Sequence, residues 1–317
     1  PIAIGNSLRG MYRWYLAGVP YICLYGNTRY VYVYAWSEGA KTFNLVQSLD
    51  LGDGVSGWAA AHYTMGAVPY LSVCCAQSGL IKSFQWNGAY FTDSSTFIVP
   101  VYQGGCNDPG PVVAWAQDGT QFLSFTTGNL SLGAPNMFTT IKWNPDIGNF
   151  EVVDRVNGDH RSYSVVSYLI GYTRYFCFSG QGASTSVGAV FTYKWNGLAM
   201  DLVEKTNPTG LIEELYTFVN GNEQFIGGLN SSQVVTYSFS GTVSLEKMSE
   251  IGTDVNPVGV TSYLVDGSLY FSVICKNSNR LNTFKWSSLG LSFIGYVGTD
   301  TAPGWVISYN IDGSKYV

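Results

Sequence analysis

Charge is the scarcest property of this chain. Charged residues make up 12% of its 317 positions, about half the usual share of a globular domain. Lys and Arg number 16 and Asp and Glu 21, for a formal net charge of −5 and an isoelectric point near 5.0. A nucleic-acid binder needs a basic field to displace phosphate counterions. Attachment to an anionic bilayer needs a basic patch. Neither partner is expected. Uncharged apolar runs are short, none approaching the roughly 18 residues of a spanning helix, so membrane insertion is not expected either. Histidine occurs twice, at His62 and His160, and no Cys-x-x-Cys pair accompanies it. That argues against structural zinc. No basic-then-apolar leader precedes Pro1, so the chain reads as a processed product or an excised domain.

Catalytic signatures are also missing. There is no G-x-S-x-G elbow, H-E-x-x-H helix or P-loop, and Gly180-Gln181-Gly182 stops short of a dinucleotide fingerprint. Ser48–Gly52 begins like a sialidase Asp-box, but the Thr and Trp that should follow are absent. His62 reads as a packed residue of an inner strand and not as a base. An enzyme is not expected. A glycan-processing hydrolase with spatially paired carboxylates is the remote alternative.

What is plentiful points to strands. Hydrophobic residues are 46% of the chain, with 37 Gly, 23 Tyr and 17 Phe. That is the composition of many short strands joined by tight turns. A motif of glycine, two or three residues, then an aromatic recurs at Gly18…Tyr21, Gly66…Tyr70, Gly119…Phe122, Gly171…Tyr175, Gly221…Phe225, Gly267…Tyr270 and Gly313…Tyr316. Its period is about 49 residues. Between the copies stands a second motif, an aromatic or aliphatic residue, a spacer, then Trp36, Trp86, Trp143, Trp195, Phe239 or Trp286. Each unit resolves into four strands, here a to d, with Asp-Gly or a similar pair supplying positive φ at the a–b turn. In the sixth unit the strands are expected at Val258–Val265, Leu269–Cys275, Asn282–Trp286 and Leu291–Val297.

Repeats of this length with four strands indicate an all-β propeller. The expectation is one domain of seven four-stranded blades. They span 9–51, 55–103, 111–156, 161–206, 211–252, 257–298, and finally 303–317 completed by 1–8. Six blades plus an appended hairpin is the alternative. The six strand-c aromatics are expected between adjacent blades. The incomplete last blade leaves an edge through which copies of the chain can associate.

The segments Tyr193–Gly197, Phe84–Phe91, Gly252–Val273 and Gly298–Tyr316 resemble the epilepsy-associated (EAR, or EPTP) repeat. That resemblance implies a seven-bladed propeller in a secreted, extracellular protein that binds receptors or mediates adhesion without catalysis. The function expected is therefore extracellular recognition of a partner protein, with a carbohydrate-binding lectin as the alternative.

The b–c and d–a loops leave one face of such a fold, and candidate sites are sought there. Trp58, Trp115 and Trp305, early in strand a, are candidates for stacking on a partner or a sugar. Asp53, Asp108, Asp159, Asp254 and Asp300 lie in d–a loops, where their carboxylates are candidates for holding calcium; no other cofactor is expected. Asn129 and Asn230 head N-x-S sequons in b–c loops and are candidate glycan acceptors. Cys106 is placed to bridge Cys74 or Cys75.

Overall fold

The computed structural model describes residues 8–76, 78–101, 108–127, 137–157, 160–182, 188–207, 210–220, 223–239, 245–254, 256–299, 303–311 and 314–317. Strands are the only regular elements among them. Blade 1 is β1 (Leu8–Leu16), β2 (Val19–Gly26), β3 (Tyr30–Ser37) and β4 (Thr42–Asp50). Blade 2 is β5 (Ser56–Met65), β6 (Val68–Ala76), β7 (Leu80–Trp86) and β8 (Phe91–Ile98). Blade 3 is β9 (Pro109–Gln117), β10 (Thr120–Thr127), β11 (Met137–Asn144) and β12 (Asn149–Asn157). Blade 4 is β13 (His160–Ile170), β14 (Thr173–Gly182), β15 (Gly188–Trp195) and β16 (Met200–Thr206). Blade 5 is β17 (Glu214–Asn220), β18 (Glu223–Leu229), β19 (Gln233–Phe239) and β20 (Leu245–Gly252). Blade 6 is β21 (Pro257–Val265), β22 (Ser268–Cys275), β23 (Arg280–Ser287) and β24 (Gly290–Gly298). The short strands β25 (Tyr309–Ile311) and β26 (Ser314–Tyr316) pair with each other.

Each blade is a four-stranded antiparallel meander, and the fold is an all-β propeller of such blades. Among the described residues six are complete and the last hairpin gives a two-stranded sheet, which is the alternative of six blades plus a hairpin and not the first expectation of seven. Leu8, assigned by expectation to a seventh blade, instead extends β1 and pairs with Gly26. Residues 1–7 lie outside the described residues. The chain divides into two compact units, Pro1–Ser162 with blades 1 to 3 and Tyr163–Val317 with blade 5, blade 6 and nearly all of blade 4.

The repeat motif has a plain physical basis. Asp118-Gly119 and Asp266-Gly267 both take positive φ, as a two-residue hairpin with the right twist demands. Flanking each a–b hairpin, an aromatic of strand a stacks on the motif aromatic of strand b. The pairs are Trp14–Tyr21, Tyr63–Tyr70, Trp115–Phe122, Tyr168–Tyr175, Phe218–Phe225 and Tyr263–Tyr270, with centroids 4.2 to 6.0 Å apart. The strand-c tryptophan of the following blade then packs on that pair. Trp86 meets Tyr21 edge-on at 6.1 Å, Trp143 meets Tyr70 at 6.3 Å, and Trp286 meets Phe225 edge-on at 5.2 Å. The interblade role expected for these residues is therefore observed at three seams. Trp195 is buried, Trp36 packs edge-on against Phe43 of its own blade, and the side chain of Phe239 lies outside the described residues.

A second recurring feature fills the blade interiors. In blade 2, Tyr63 Oη, Ser72 Oγ and Ser83 Oγ form a hydrogen-bonded ladder across strands a, b and c, with links of 2.8 and 2.7 Å. Trp115–Ser124–Thr140, Tyr168–Cys177–Thr192 and Tyr263–Ser272–Thr283 repeat it in blades 3, 4 and 6. Most buried polar groups in folded proteins have such partners.

Every outer strand also carries one bulge at the same place, at Val46, Ser94, Val153, Val203, Met248 and Ile294. The extra residue re-aims the next side chain. In blades 1, 4 and 5 that side chain clasps the following blade. Phe91 N–H donates to Gln47 Oε1 (2.8 Å), Leu245 N–H to Glu204 Oε2 (2.8 Å) and Leu291 N–H to Ser249 Oγ (3.2 Å). In blade 6 the place belongs to Gly295.

Candidate functional site

Strand order places the a–b and c–d turns at one end of each blade and the b–c and d–a loops at the other. The described b–c loops are polar, as in Asn27-Thr28-Arg29, Ser231-Ser232 and Lys276–Asn279. The d–a loops and adjoining strand ends expose Ile98, Val101 and Val297, and the turn end exposes a larger set of apolar side chains. In the first unit it exposes Tyr15, Val19, Tyr90 and Ile147. In the second it exposes Leu169, Ile170, Tyr172 and Leu198 of blade 4, Val219 of blade 5, and Leu264, Val265 and Leu289 of blade 6. Tyr172 is fully exposed and Leu198 is 82% exposed. Apolar residues at turn tips break the rule that turns are polar, a signature of contact surfaces.

Blade 4 concentrates this feature. Its a–b and c–d turns are two strand spacings apart, about 10 Å. The tips are rigidly built. Asn196 Oδ1 accepts the N–H groups of Leu198 and Ala199 at 2.9 and 2.8 Å, and its amide donates to Asp201. Asn87 cages the Tyr90 turn of blade 2 in the same way. These asparagine side chains are consumed in holding their loops.

The residues selected from the sequence differ in exposure. Trp115, a candidate for the binding face, is buried, stacked on Phe122 at 4.2 Å, with Nε1 donating to Ser124. It is a core residue, because its indole heads a polar ladder. Trp58 is half-buried beneath the Arg9 guanidinium, 4.1 Å away, and Trp305 is 41% exposed in the other unit.

Arg29 grips Asp50 through two nitrogens (2.6 and 2.5 Å) and also contacts Asp53. The hydrogen bond from Arg29, then that from Gly52 N–H, holds the Asp50 carboxyl down at about 2. Asp254 pairs with Arg280 at 3.3 Å. Asp159 and Asp300 fall outside the described residues. Asp53 and Asp254 each pair with an arginine, and among the described residues no group of three or more His, Cys, Asp or Glu side chains is placed to hold a metal.

Asn230 is 4% exposed, its backbone N–H and side-chain amide both bonded to Gln233, and its Oδ1 accepting Ser232 N–H. It closes its own loop and is not a surface acceptor. Asn129 and Cys106 lie outside the described residues. Cys74 and Cys75 are fully buried thiols turned to opposite seams, Cys75 toward blade 1 and Cys74 toward blade 3. Burial pushes the Cys75 thiol up to about 12 and Cys74 well above its ordinary value, so both are unreactive. His62 stacks on Trp14 at 5.5 Å, and burial lowers it to about 4, leaving a neutral packed imidazole as expected.

No protein-family model and no curated protein matches the chain. Solved structures do. A "putative 6-phosphogluconolactonase" from Bacteroides uniformis superposes with TM-score 0.64 at 11% identity, covering 89% of this chain and 83% of its own. A functionally unknown protein from Desulfotomaculum acetoxidans gives 0.66 at 12% identity, over 96% and 89%. At such identities the likeness is one of fold.

Proposed function

We propose that the protein is a non-enzymatic recognition module that binds a partner protein through the turn ends of its blades, with blade 4 as anchor. The observation that carries this reading is the set Leu169, Ile170, Tyr172 and Leu198, exposed together on one blade end. Exposed aromatic and aliphatic tips on a rigid scaffold are what an interface hot spot is made of. The lectin alternative is weaker at this end, since Asn196 and Asn87 have their amide oxygens committed to backbone N–H groups. An extracellular setting belongs to the same reading and rests on the repeat resemblance.

The test is affinity capture from an extract of the native source, with wild type and a Tyr172→Ser/Leu198→Ser double variant as baits. The expected result is one partner recovered by wild type and lost from the variant, with thermal stability unchanged. A partner retained by the variant, or saturable sugar-inhibitable binding on a glycan array, overturns the reading.

A further inference from the structure

The seam between blades 5 and 6 contains a half-buried acid, Glu214, one of whose carboxylate oxygens is fully buried. Glu214 Oε2 is the one carboxylate oxygen, among the described residues, that is buried without a hydrogen-bond partner. Counted from the a–b hairpin, Glu214 matches Gly10, Ala59, Pro111, Ser164 and Gly259 on the other innermost strands. Five blades keep a small side chain at this point and blade 5 inserts a carboxyl.

Blade 5 is altered around it. Where four blades place the middle rung of the polar ladder, blade 5 has Gly227, and the ring of Tyr216 lies in the vacated space. A Cβ on Gly227 would fall 1.8 Å from Tyr216 Cζ. Tyr216 shares a strand face with Glu214, two residues away, and packs on Phe271 of blade 6 at 5.6 Å. Its hydroxyl is a second buried atom without a partner. Across the seam, Asn282 Oδ1 is a third, its amide nitrogen reaching only Cys275 Sγ at 3.6 Å.

The titratable and charged groups that the packed strands turn toward this seam are few. They are Tyr216 on β17, Cys275 on β22 and Arg280 on β23. Arg280 is already paired with Asp254. The facing residues of β18 and β21, among them Leu229 and Val260, are apolar. Among the described residues no unpaired cation faces Glu214 here.

We propose that Glu214 enters this seam as an uncharged carboxylic acid, so that its proton acts as a latch between blades 5 and 6. The latch is tightest in mild acid and loosens as pH rises. Burial raises the Glu214 carboxyl from 4.5 to about 8, and pushes Tyr216 upward as well. A group whose folded value is raised this way binds its proton more tightly in the closed seam than in the open one. Opening therefore becomes roughly tenfold easier per pH unit between about 4.5 and 8, then levels off.

The test is hydrogen exchange resolved to peptides, corrected for intrinsic rates, at pH 5.5 and 7.5. In wild type the opening constant of β17, β21 and β22 is expected to rise about 100-fold between the two, while β5 and β9 stay constant. Glu214→Gln abolishes the rise. Should that variant fold poorly, Glu214→Leu provides the same comparison. Independently, the wild-type infrared spectrum at pH 7 contains a protonated-acid carbonyl band that the variant lacks. Protection that is independent of pH in wild type, a pH dependence that survives in both variants, or the absence of that band overturns the proposal.

Discussion

Blades 2 and 5 share strand order, hairpin position and outer-strand bulge, yet their interiors differ. Blade 2 has both the stacked pair Tyr63–Tyr70 (5.6 Å) and the complete ladder Tyr63–Ser72–Ser83. Blade 5 has the stacked pair Phe218–Phe225 (5.0 Å), but its ladder positions are Phe218, Gly227 and Thr236, and the gap is filled by Tyr216. The stacked pair occurs in all six blades and the ladder in four. The pair, capped at three seams by the next blade's tryptophan, is thus the feature the blades share. The ladder is one way of filling the space behind it.

That comparison can be broken most directly at the pair. Phe225 is buried, stacked on Phe218 and capped by Trp286. Phe225→Ala is expected to cost about 3–5 kcal/mol, read from urea unfolding. A loss below about 1 kcal/mol would show that the pair is not what holds blade 5.

Glu214→Gln comes next and has the opposite sign. Because the folded carboxyl is raised, its penalty is absent below the unfolded value and grows as pH rises toward about 8. The variant is expected to gain roughly 2–3 kcal/mol at pH 7 and nothing at pH 4. Parallel stability-versus-pH curves for the two proteins would remove the contrast between blade 5 and its neighbours.

The smallest effects sharpen it most. Tyr63→Phe deletes the top rung of a satisfied ladder and is expected to cost about 1 kcal/mol. Tyr216→Phe deletes a buried hydroxyl that has no partner, and is expected to be neutral or to stabilise by about 1 kcal/mol. Equal losses from both would mean that the two hydroxyls are equally well bonded.

Much of this scaffold could be read from the chain. The sixth-unit strands, expected at Val258–Val265, Leu269–Cys275, Asn282–Trp286 and Leu291–Val297, are observed as Pro257–Val265, Ser268–Cys275, Arg280–Ser287 and Gly290–Gly298. They were legible because hairpin glycines and cross-strand aromatics are local, tied by a turn of fixed length. The ladder was legible in principle. An aromatic nine residues before a Ser or Cys recurs at Tyr63/Ser72, Trp115/Ser124, Tyr168/Cys177 and Tyr263/Ser272, a spacing the hairpin imposes, and also at Trp14/Cys23, where the indole nitrogen is left without a partner. The turn tips also left a signal, since Leu198 follows Asn196-Gly197 where a polar residue is the rule. What could not be read is set by partners distant in sequence. Nothing local shows that Asp53 meets Arg29 or that Trp143 caps Tyr70 of the preceding blade. The choice of seven blades over the alternative of six plus a hairpin missed for a related reason, because a repeat of two strands reads locally like the start of four.

The bulge in each outer strand has a consequence for the molecule's behaviour at high concentration. β24 lacks any charged side chain, and Phe293, Ile294, Tyr296 and Val297 stand exposed on it. A straight strand of that composition would be a template for fibril growth. Ile294 interrupts it, as Val46, Ser94, Val153, Val203 and Met248 interrupt the other five. A kinked margin interrupts the row of amides that a foreign strand would zip against, so in β24 backbone shape opposes edge pairing where side-chain charge is lacking.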